Sequence, residues 1–334
     1  MKLCVFGAGA IGGHLAARLA HVHGAAHEVS MVARGAHLEA VRRDGLHLDS
    51  IAGDVHARPA IATDDPATLD PQDVVFVTLK AVAQPGSAEA VARLLGDDGV
   101  AVYVGNGIPW WWNAGRPGAD GPLPLLDPRG ALWSRVGPAR TIGVVVYSGN
   151  EVIRPGVVRH RGNNRWLLGE PSAARPERLE RVAALMREAG LVVEVPADIR
   201  REVWLKLLRN VPLNAICALT RLATDELAAE PDLAEIAARA VDETVAVAAA
   251  QGTDLSADAA AARAAFAPGG ALRAPAFKGI RPSMLQDVEG GRPTEVEAIL
   301  GQVAAFGREA GVPTPTIDVL RALMRGLDRT RRAG

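Results

Sequence analysis

The segment Gly7 to Gly12, with the sequence Gly-Ala-Gly-Ala-Ile-Gly, constrains the fold of this chain more than any other segment. It follows the short apolar run 3–6 and opens a stretch of helical periodicity, which gives the order strand, turn, helix. Gly7 permits a tight turn, Gly9 lets a pyrophosphate approach the backbone, and Gly12 lets helix and strand pack closely. Phosphates would sit on the N-terminus of the helix, where free N–H groups favour anions. The residues predicted to bind a dinucleotide are Gly7, Ala8, Gly9, Ala10, Ile11 and Gly12. The alternative is a glycine-rich turn without a ligand.

The end of the second predicted strand, 29–33, bears on which dinucleotide is bound. An NAD site normally carries Asp or Glu there, accepting hydrogen bonds from the ribose 2′-hydroxyl. In this chain Arg34 follows the strand, and a guanidinium can hold the 2′-phosphate of NADP through paired, charge-assisted hydrogen bonds. The alternative is a surface arginine at a strand end. The sequence favours NADP(H) as the cofactor.

The pattern of predicted elements changes along the chain. Short β-branched runs alternate with helical stretches in the first half, as a parallel α/β sheet requires. The strands are predicted at 3–6, 29–33, 74–78, 100–104, 142–146, 157–160 and 165–168, the last three antiparallel. The segment 109–138 interrupts the alternation as a long loop with three tryptophans. Helices are predicted at 11–20, 88–95, 177–189, 199–219, 232–250, 296–310 and 315–327. The predicted fold is a Rossmann-type α/β domain, 1–170, followed by an all-α domain, 171–334, with the boundary near 169–175.

Composition excludes several functional classes. The 334 residues carry a formal net charge of −1 and are 49% hydrophobic, which leaves no basic footprint for nucleic acid. No apolar run approaches the ~20 residues that span a bilayer. The apolar run at the N-terminus is too short for the apolar region of a signal peptide. We therefore expect a cytoplasmic protein. The two cysteines, Cys4 and Cys217, are predicted to be buried thiols, with a catalytic thiol as the alternative. No cluster has metal-ligand spacing, so no metal is expected.

A polar stripe lies on the predicted helix 199–219. Lys206, Asn210 and Asn214 are spaced by four residues, so each lies about 40° further round a helix than the one before. Their neighbours are mostly apolar, which indicates that much of this helix is buried. Buried polar groups need partners, and substrate oxygens are suitable partners. A solvated helix face explains the same spacing, so the spacing alone does not decide between these interpretations.

A second polar cluster follows at 281–297. Ser283 with Gln286, and Thr294 with Glu297, match the capping-box pattern, and Glu295 would be stabilised in a first helical turn by the helix dipole. These structural interpretations account for the cluster without any function.

A resemblance to a known family adds what spacing cannot. The chain resembles the ketopantoate reductases (2-dehydropantoate 2-reductases) in blocks that occur in family order over nearly its whole length. The blocks are KLCVFGAGAIGG, Arg34, Lys80 in TLKAVAQ, Asn106-Gly107, WLKLLRNVPLNAICALT and SMLQDVEGGRPTEVEAI. The resemblance implies a Rossmann domain and a helical domain that reduce a 2-keto acid with NADPH in the cleft between them. It further implies ketopantoate as the substrate, a role in pantothenate biosynthesis and a possible homodimer.

The resemblance also assigns roles to individual residues. Lys206 would be the general acid that protonates the substrate carbonyl, since an ammonium both polarises a ketone and supplies a proton. Glu295 would orient Lys206, keep it protonated by its opposite charge, and bond near the nicotinamide ribose. The residues assigned to substrate are Asn106, Lys206, Asn210, Asn214 and Ser283. Asn106 would also meet the ribose, and Lys80 would lie over the cofactor.

Three departures from the family pattern bear on the substrate. Gly105 stands where relatives often have Gln, Thr224 stands where a substrate-binding Asn can occur, and the excursion 109–138 with Trp110–Trp112 is unusually long. The tryptophans could cover the pocket mouth or pack the loop or a dimer contact. One alternative is therefore the same chemistry on a different, bulkier 2-keto acid. The other is a non-catalytic NADP-binding sensor whose C-terminal helices bind a protein.

Overall fold

The computed structural model describes residues 1–332, and within them the chain forms two compact units. The first comprises Met1–Gly105 and Pro109–Ile199, and the second comprises Asn106–Ile108 and the chain from Arg200 onward. The sequence placed the division near 169–175, whereas the structure places it after Ile199. The intervening segment stays with the first unit because its helix and strand pack on the sheet of that unit. The last two residues of the predicted domain 171–334 lie outside the described residues.

A mixed sheet forms the centre of the first unit. In the described part of the chain its strands, β1 to β10, span Lys2–Phe6, Glu28–Val32, Leu46–Ser50, Val55–Ala57, Ile61–Thr63, Gln72–Val77, Leu95–Gly105, Thr141–Arg154, Val157–Gly169 and Val192–Glu194. Their order is β4-β3-β9-β8-β7-β6-β1-β2-β5, and β10 pairs with β9. The strands from β5 to β8 in this order are all parallel, and β8 and β9 form a long antiparallel hairpin. The predicted strands 157–160 and 165–168 are two parts of β9.

The strand order of the sheet indicates where a ligand would bind. β1 lies between β2 and β6, so the chain order reverses there. In open α/β sheets, ligands bind beyond the carboxyl ends of the strands at such a switch point. The glycine turn directly follows β1, as the sequence predicted. The short strands β3, β4, β5 and β10 were not predicted.

Helices cover this sheet in the first unit. They are α1 (Ala10–His23), α2 (Gly35–Asp44), α3 (Ala88–Leu94) and α4 (Glu177–Glu188). One continuous core of buried residues runs beneath them. The Rossmann-type character of the first unit is confirmed, with a sheet that is mixed rather than wholly parallel.

The excursion 109–138 packs onto the first unit. Trp110, Trp111 and Trp112 are each no more than 2% exposed. The ring of Trp110 stands edge-on to Tyr103 of β7, with centroids 5.3 Å apart. Gly143 on β8 leaves the space that the Trp111 ring occupies, since a Cβ there would collide with it. The tryptophans are therefore core residues of the first unit, which agrees with the packing interpretation.

The second unit is helical, as predicted. Its helices are α5 (Ile199–Thr220), α6 (Thr224–Ala229), α7 (Pro231–Ala250), α8 (Ser256–Ala264), α9 (Ser283–Glu289), α10 (Gln302–Ala310) and α11 (Pro315–Arg332). A π-helical turn, Glu297–Gly301, directly precedes α10. The chain also enters this unit once before α5, through Asn106–Ile108. Among the described helices, none has the combination of length and apolar character that a membrane crossing requires.

Candidate active site

The glycine turn in the first unit has the geometry of an anion site. Gly7 has a φ of +102°, and its N–H and that of Ala8 donate to the carbonyl of Val32, at 3.0 and 3.1 Å. A Cβ at Gly12 would collide with the carbonyl of Gly7, whereas a Cβ at Gly9 would meet nothing within 4 Å. Gly12 therefore serves the packing of α1 on the turn, and Gly9 leaves open space above it. The N–H groups of the first helical turn have no acceptor within the helix, so they remain suited to a phosphate.

Thr78, which was not predicted as a site residue, also holds this turn. It directly follows β6, and its hydroxyl donates to the carbonyl of Gly7 at 2.7 Å. The hydroxyl also lies where a side chain at Gly12 would have to go. A polar residue at the carboxyl end of the strand beside β1 is the signal that could have identified it.

Arg34 and Lys80 both belong to the first unit. Arg34 lies two residues beyond the end of β2, and Lys80 lies three residues beyond the end of β6. Arg34 is the N-cap residue of α2 and has an exposed side chain. Within residues 1–332, no hydrogen bond or ion pair holds its guanidinium, which is therefore available for an anion such as a 2′-phosphate. Lys80 is partly buried and begins a short 3-10 turn, Ala81–Ala83.

In the second unit, Lys206, Asn106 and Glu295 form one hydrogen-bonded cluster. The Nζ of Lys206 on α5 donates to Oδ1 of Asn106 at 2.7 Å. The Nδ2 of Asn106 donates in turn to Oε2 of Glu295 at 3.1 Å. An asparagine amide is one of the few side chains that can accept from an ammonium and donate to a carboxylate at the same time. The structure therefore brings together three of the predicted site residues.

Burial and charge act in opposite directions on the lysine. Removal of the ammonium from water lowers the pKa of Lys206 to about 8, while the nearby negative charge of Glu295 raises it in part. Glu295 thus acts in the expected direction, but desolvation has the larger effect. With a pKa near 8, the lysine is mostly protonated at neutral pH and gives up its proton more readily than an exposed lysine.

Asn210, Asn214 and Ser283 extend this polar surface along α5. Asn214 is 3% exposed, and its Oδ1 accepts hydrogen bonds from the Ser283 hydroxyl at 3.2 Å and from the Met284 N–H at 3.0 Å. Its Nδ2 donates to the carbonyl of Asn210 at 3.2 Å. The stripe of Lys206, Asn210 and Asn214 is therefore not a solvated helix face.

Both capping-box interpretations at 281–297 are wrong. Ser283 is the first residue of α9, and its hydroxyl donates to Asn214 rather than capping the helix. The Thr294 hydroxyl donates to Oδ2 of Asp328 on α11 at 2.7 Å, and Glu297 pairs with Arg321 and Arg325. Tertiary partners displaced the local ones at both positions. Glu295, between these two anchors, is 7% exposed.

The environments of the two cysteine thiols disfavour the reactive thiolate form. Both cysteines are buried and free, and burial raises the pKa of each thiol to about 12. The described residues contain no group of three or more His, Cys, Asp or Glu that could hold a metal ion.

Two features indicate the class of this protein. One is the glycine turn at the switch point of a Rossmann-type sheet, and the other is a half-buried lysine linked through an amide to a carboxylate. They are typical of dinucleotide-dependent oxidoreductases, in which the turn holds the cofactor and the lysine is a proton donor.

Comparison with known proteins specifies the family. The family model described as ketopantoate reductase PanE/ApbA matches residues 3–173, and the model of its C-terminal domain matches residues 198–328. A 2-dehydropantoate 2-reductase from Mesorhizobium japonicum is 40% identical over 98% of both chains. A candidate ketopantoate reductase from Ralstonia solanacearum, known from its crystal structure, is 34% identical with a TM-score of 0.85 and covers 99% of this chain and 98% of its own. The chain belongs to the ketopantoate reductase family.

The same fold occurs in a more distant enzyme. A D-mandelate dehydrogenase solved with NADH and anilino(oxo)acetate superposes with a TM-score of 0.82 at 22% identity, covering 99% of this chain and all of its own. This likeness concerns the fold alone.

Proposed function

We propose that this protein reduces ketopantoate to pantoate, with NADPH as the hydride donor and Lys206 as the general acid. The linked cluster of Lys206, Asn106 and Glu295 carries the proposal, because it places a readily released proton on an ammonium held within a partly buried site. The curated relative from Mesorhizobium japonicum, a 2-dehydropantoate 2-reductase, supports the choice of substrate.

The residues of the first unit fit a dinucleotide. The open space above Gly9 can receive a pyrophosphate, and the exposed Arg34 can pair with a 2′-phosphate. We assign the cofactor to the turn Gly7–Gly12 with Arg34 and Lys80, and we propose NADP(H) rather than NAD(H) because of the arginine. When bound, NADPH supplies a hydride to the carbonyl carbon of a 2-keto acid.

The protein's side chains supply the remaining chemistry. As negative charge develops on the carbonyl oxygen, the ammonium of Lys206 stabilises it and transfers a proton, so the product is a neutral hydroxyl. Asn106 holds the lysine by a hydrogen bond and is itself held by Glu295. The charge of Glu295 offsets part of the decrease in the pKa of Lys206 that burial causes. Lys206 is left neutral and must regain a proton before the next turnover.

Substrate binding is assigned to the polar surface of α5 and α9. The Asn210 amide would donate to the substrate carboxylate, and the Ser283 hydroxyl, whose proton is directed at Asn214, would accept from a substrate hydroxyl. Because both ends of the Asn214 amide bond within the protein, we propose that Asn214 contributes mainly by fixing Ser283 and the start of α9.

The test is a panel of 2-keto acids with NADPH and NADH, followed by the loss of reduced cofactor. We expect the highest kcat/KM for ketopantoate with NADPH. A clear preference for a bulkier 2-keto acid would replace ketopantoate as the assigned substrate, while the proposed reaction would stay the same. NADPH binding with no turnover on any keto acid would instead favour the non-catalytic sensor. Homodimer formation stays a prediction, which light scattering of the purified protein can check.

A further inference from the structure

The segment Asn106–Ile108 contacts the segment 295–298 in two ways. The Asn106 side chain bonds to Glu295, and the backbone of the segment contacts Ala298. The N–H of Ile108 donates to the carbonyl of Ala298 at 2.8 Å. Gly107 has a φ of +81°, and a Cβ there would collide with the backbone carbonyl and the side chain of Ala298. The chain thus passes against this turn at a distance that only glycine permits.

The π-helical turn Glu297–Gly301 makes this contact possible. The N–H of Gln302 donates to the carbonyl of Glu297, five residues earlier rather than four. In a regular α-helix the N–H of Gln302 would donate to the carbonyl of Ala298, so its bond to Glu297 leaves that carbonyl without this donor. The carbonyl of Ala298 accepts from Ile108 in this way. π-turns of this kind occur often at functional sites.

The turn is also held by α11. Oε1 and Oε2 of Glu297 pair with Arg325 and Arg321 of α11, and Thr294 bonds to Asp328 of the same helix. Since these anchors fix the turn, an added side chain at position 107 would move the Asn106 segment rather than the turn.

We propose that Gly107 and the π-turn Glu297–Gly301 are positioning elements that hold the Asn106 amide between Lys206 and Glu295. The inference rests on the proposed function, because its consequence for catalysis passes through the general acid Lys206. Asn106 accepts from one charged group and donates to the other, so a shift of about 1 Å would break one or both bonds. Misplacement of that size can cost about 100-fold in rate.

The primary experiment compares Gly107→Ala with Gly252→Ala. Gly252 has a φ of +85°, and a Cβ there would meet nothing within 4 Å. Both glycines have nearly the same positive φ, but only a Cβ at position 107 adds the collision with Ala298. We expect Gly107→Ala to lower kcat by about 10–100-fold with little change in NADPH affinity, and Gly252→Ala to stay within about twofold of wild type. Equal effects of the two variants would overturn the proposal.

A double-mutant cycle tests whether Gly107 acts through Asn106. If it does, Gly107→Ala should add almost nothing to the kcat loss of Asn106→Ala. Additive losses would show that Gly107 acts elsewhere and would contradict the inference. If Gly107→Ala does not fold, Glu297→Gln replaces it, since it removes the charge that pairs the turn with Arg321 and Arg325 without added volume. We then expect about a threefold loss in kcat, against none for the exposed-pair control Glu235→Gln.

Titration of Lys206 separates this inference from the proposed function. The pH dependence of chemical modification of Lys206 requires no turnover. We expect Gly107→Ala to move the pKa of Lys206 in the same direction as Asn106→Ala does, and Gly252→Ala to leave it unchanged. If the pKa of Lys206 shifts in this way but the protein reduces no keto acid, the proposed function is rejected and the positioning role of Gly107 stands. Normal turnover with an unmoved pKa in Gly107→Ala would reject the inference and keep the function.

Discussion

The glycine turn of the first unit and the lysine cluster of the second are built in opposite ways. The turn is one contiguous segment, Gly7–Gly12, and it offers mostly backbone N–H groups. The cluster consists of side chains from three separate segments, and Asn106 and Glu295 lie 189 positions apart in the chain. The comparison teaches that a backbone site depends on which side chains are absent, whereas a side-chain site depends on long-range packing.

The largest expected effect is at the cluster. Lys206→Ala should lower kcat by at least ~100-fold, the usual contribution of a general acid, because no other proton donor replaces the ammonium. NADPH binding to the turn should persist, measured by fluorescence titration. Lys278→Ala, which removes an exposed lysine, is the control. Unchanged turnover in Lys206→Ala would remove this lysine from the mechanism.

The turn is tested by the pair Gly9→Ala and Gly12→Ala. A Cβ at Gly9 meets nothing in the protein, so Gly9→Ala should keep its Tm but weaken NADPH binding by about 30-fold, or roughly 2 kcal/mol. Gly12→Ala should weaken binding and also lower the Tm, because its Cβ collides with the turn and Thr78. The measurements are NADPH titration and thermal unfolding. If Gly9→Ala binds NADPH normally, the pyrophosphate does not sit above Gly9.

A smaller effect is expected at Arg34. Arg34→Ala should reduce the preference for NADPH over NADH by about tenfold, through the loss of charge-assisted bonds to the 2′-phosphate. KM values for both cofactors provide the measurement, and Arg43→Ala on the same helix is the control. An unaltered preference would contradict the assignment of NADP(H) from Arg34.

The smallest effect concerns the pH dependence of kcat. Because the protonated lysine is the active form, activity should fall as the pH rises through the pKa of Lys206, about 8. Glu295→Gln keeps a hydrogen-bond acceptor for Asn106 but removes the charge that raises this pKa, so the basic limb should move down by roughly one pH unit. A limb that stays in place or moves upward would show that the charge of Glu295 does not act on Lys206.

Local sequence patterns predict some features of this protein, and long-range contacts decide others. The turn after β1 and the helix α5 were both recognised, because each has a local pattern of glycine spacing or helical periodicity. The capping boxes at Ser283 and Thr294 were misassigned, because Asn214 and Asp328 are distant partners that no local pattern shows. Strands β4, β5 and β10 were missed because three residues carry too little periodicity, and β3 because its sequence, LHLDS, lacks the β-branched apolar run that marked β1 and β2.

By itself the sequence determined the dinucleotide turn, the arginine at the end of the second strand and the polar stripe on one helix. These features depend on residues that are neighbours along the chain or one helical turn apart. Only the tertiary structure decided that Asn106–Ile108 joins the helical unit, that the Asn106 amide links Lys206 to Glu295, and that burial brings the pKa of the lysine to about 8. Hydrogen bonding and desolvation depend on distance in space, which residue spacing does not encode.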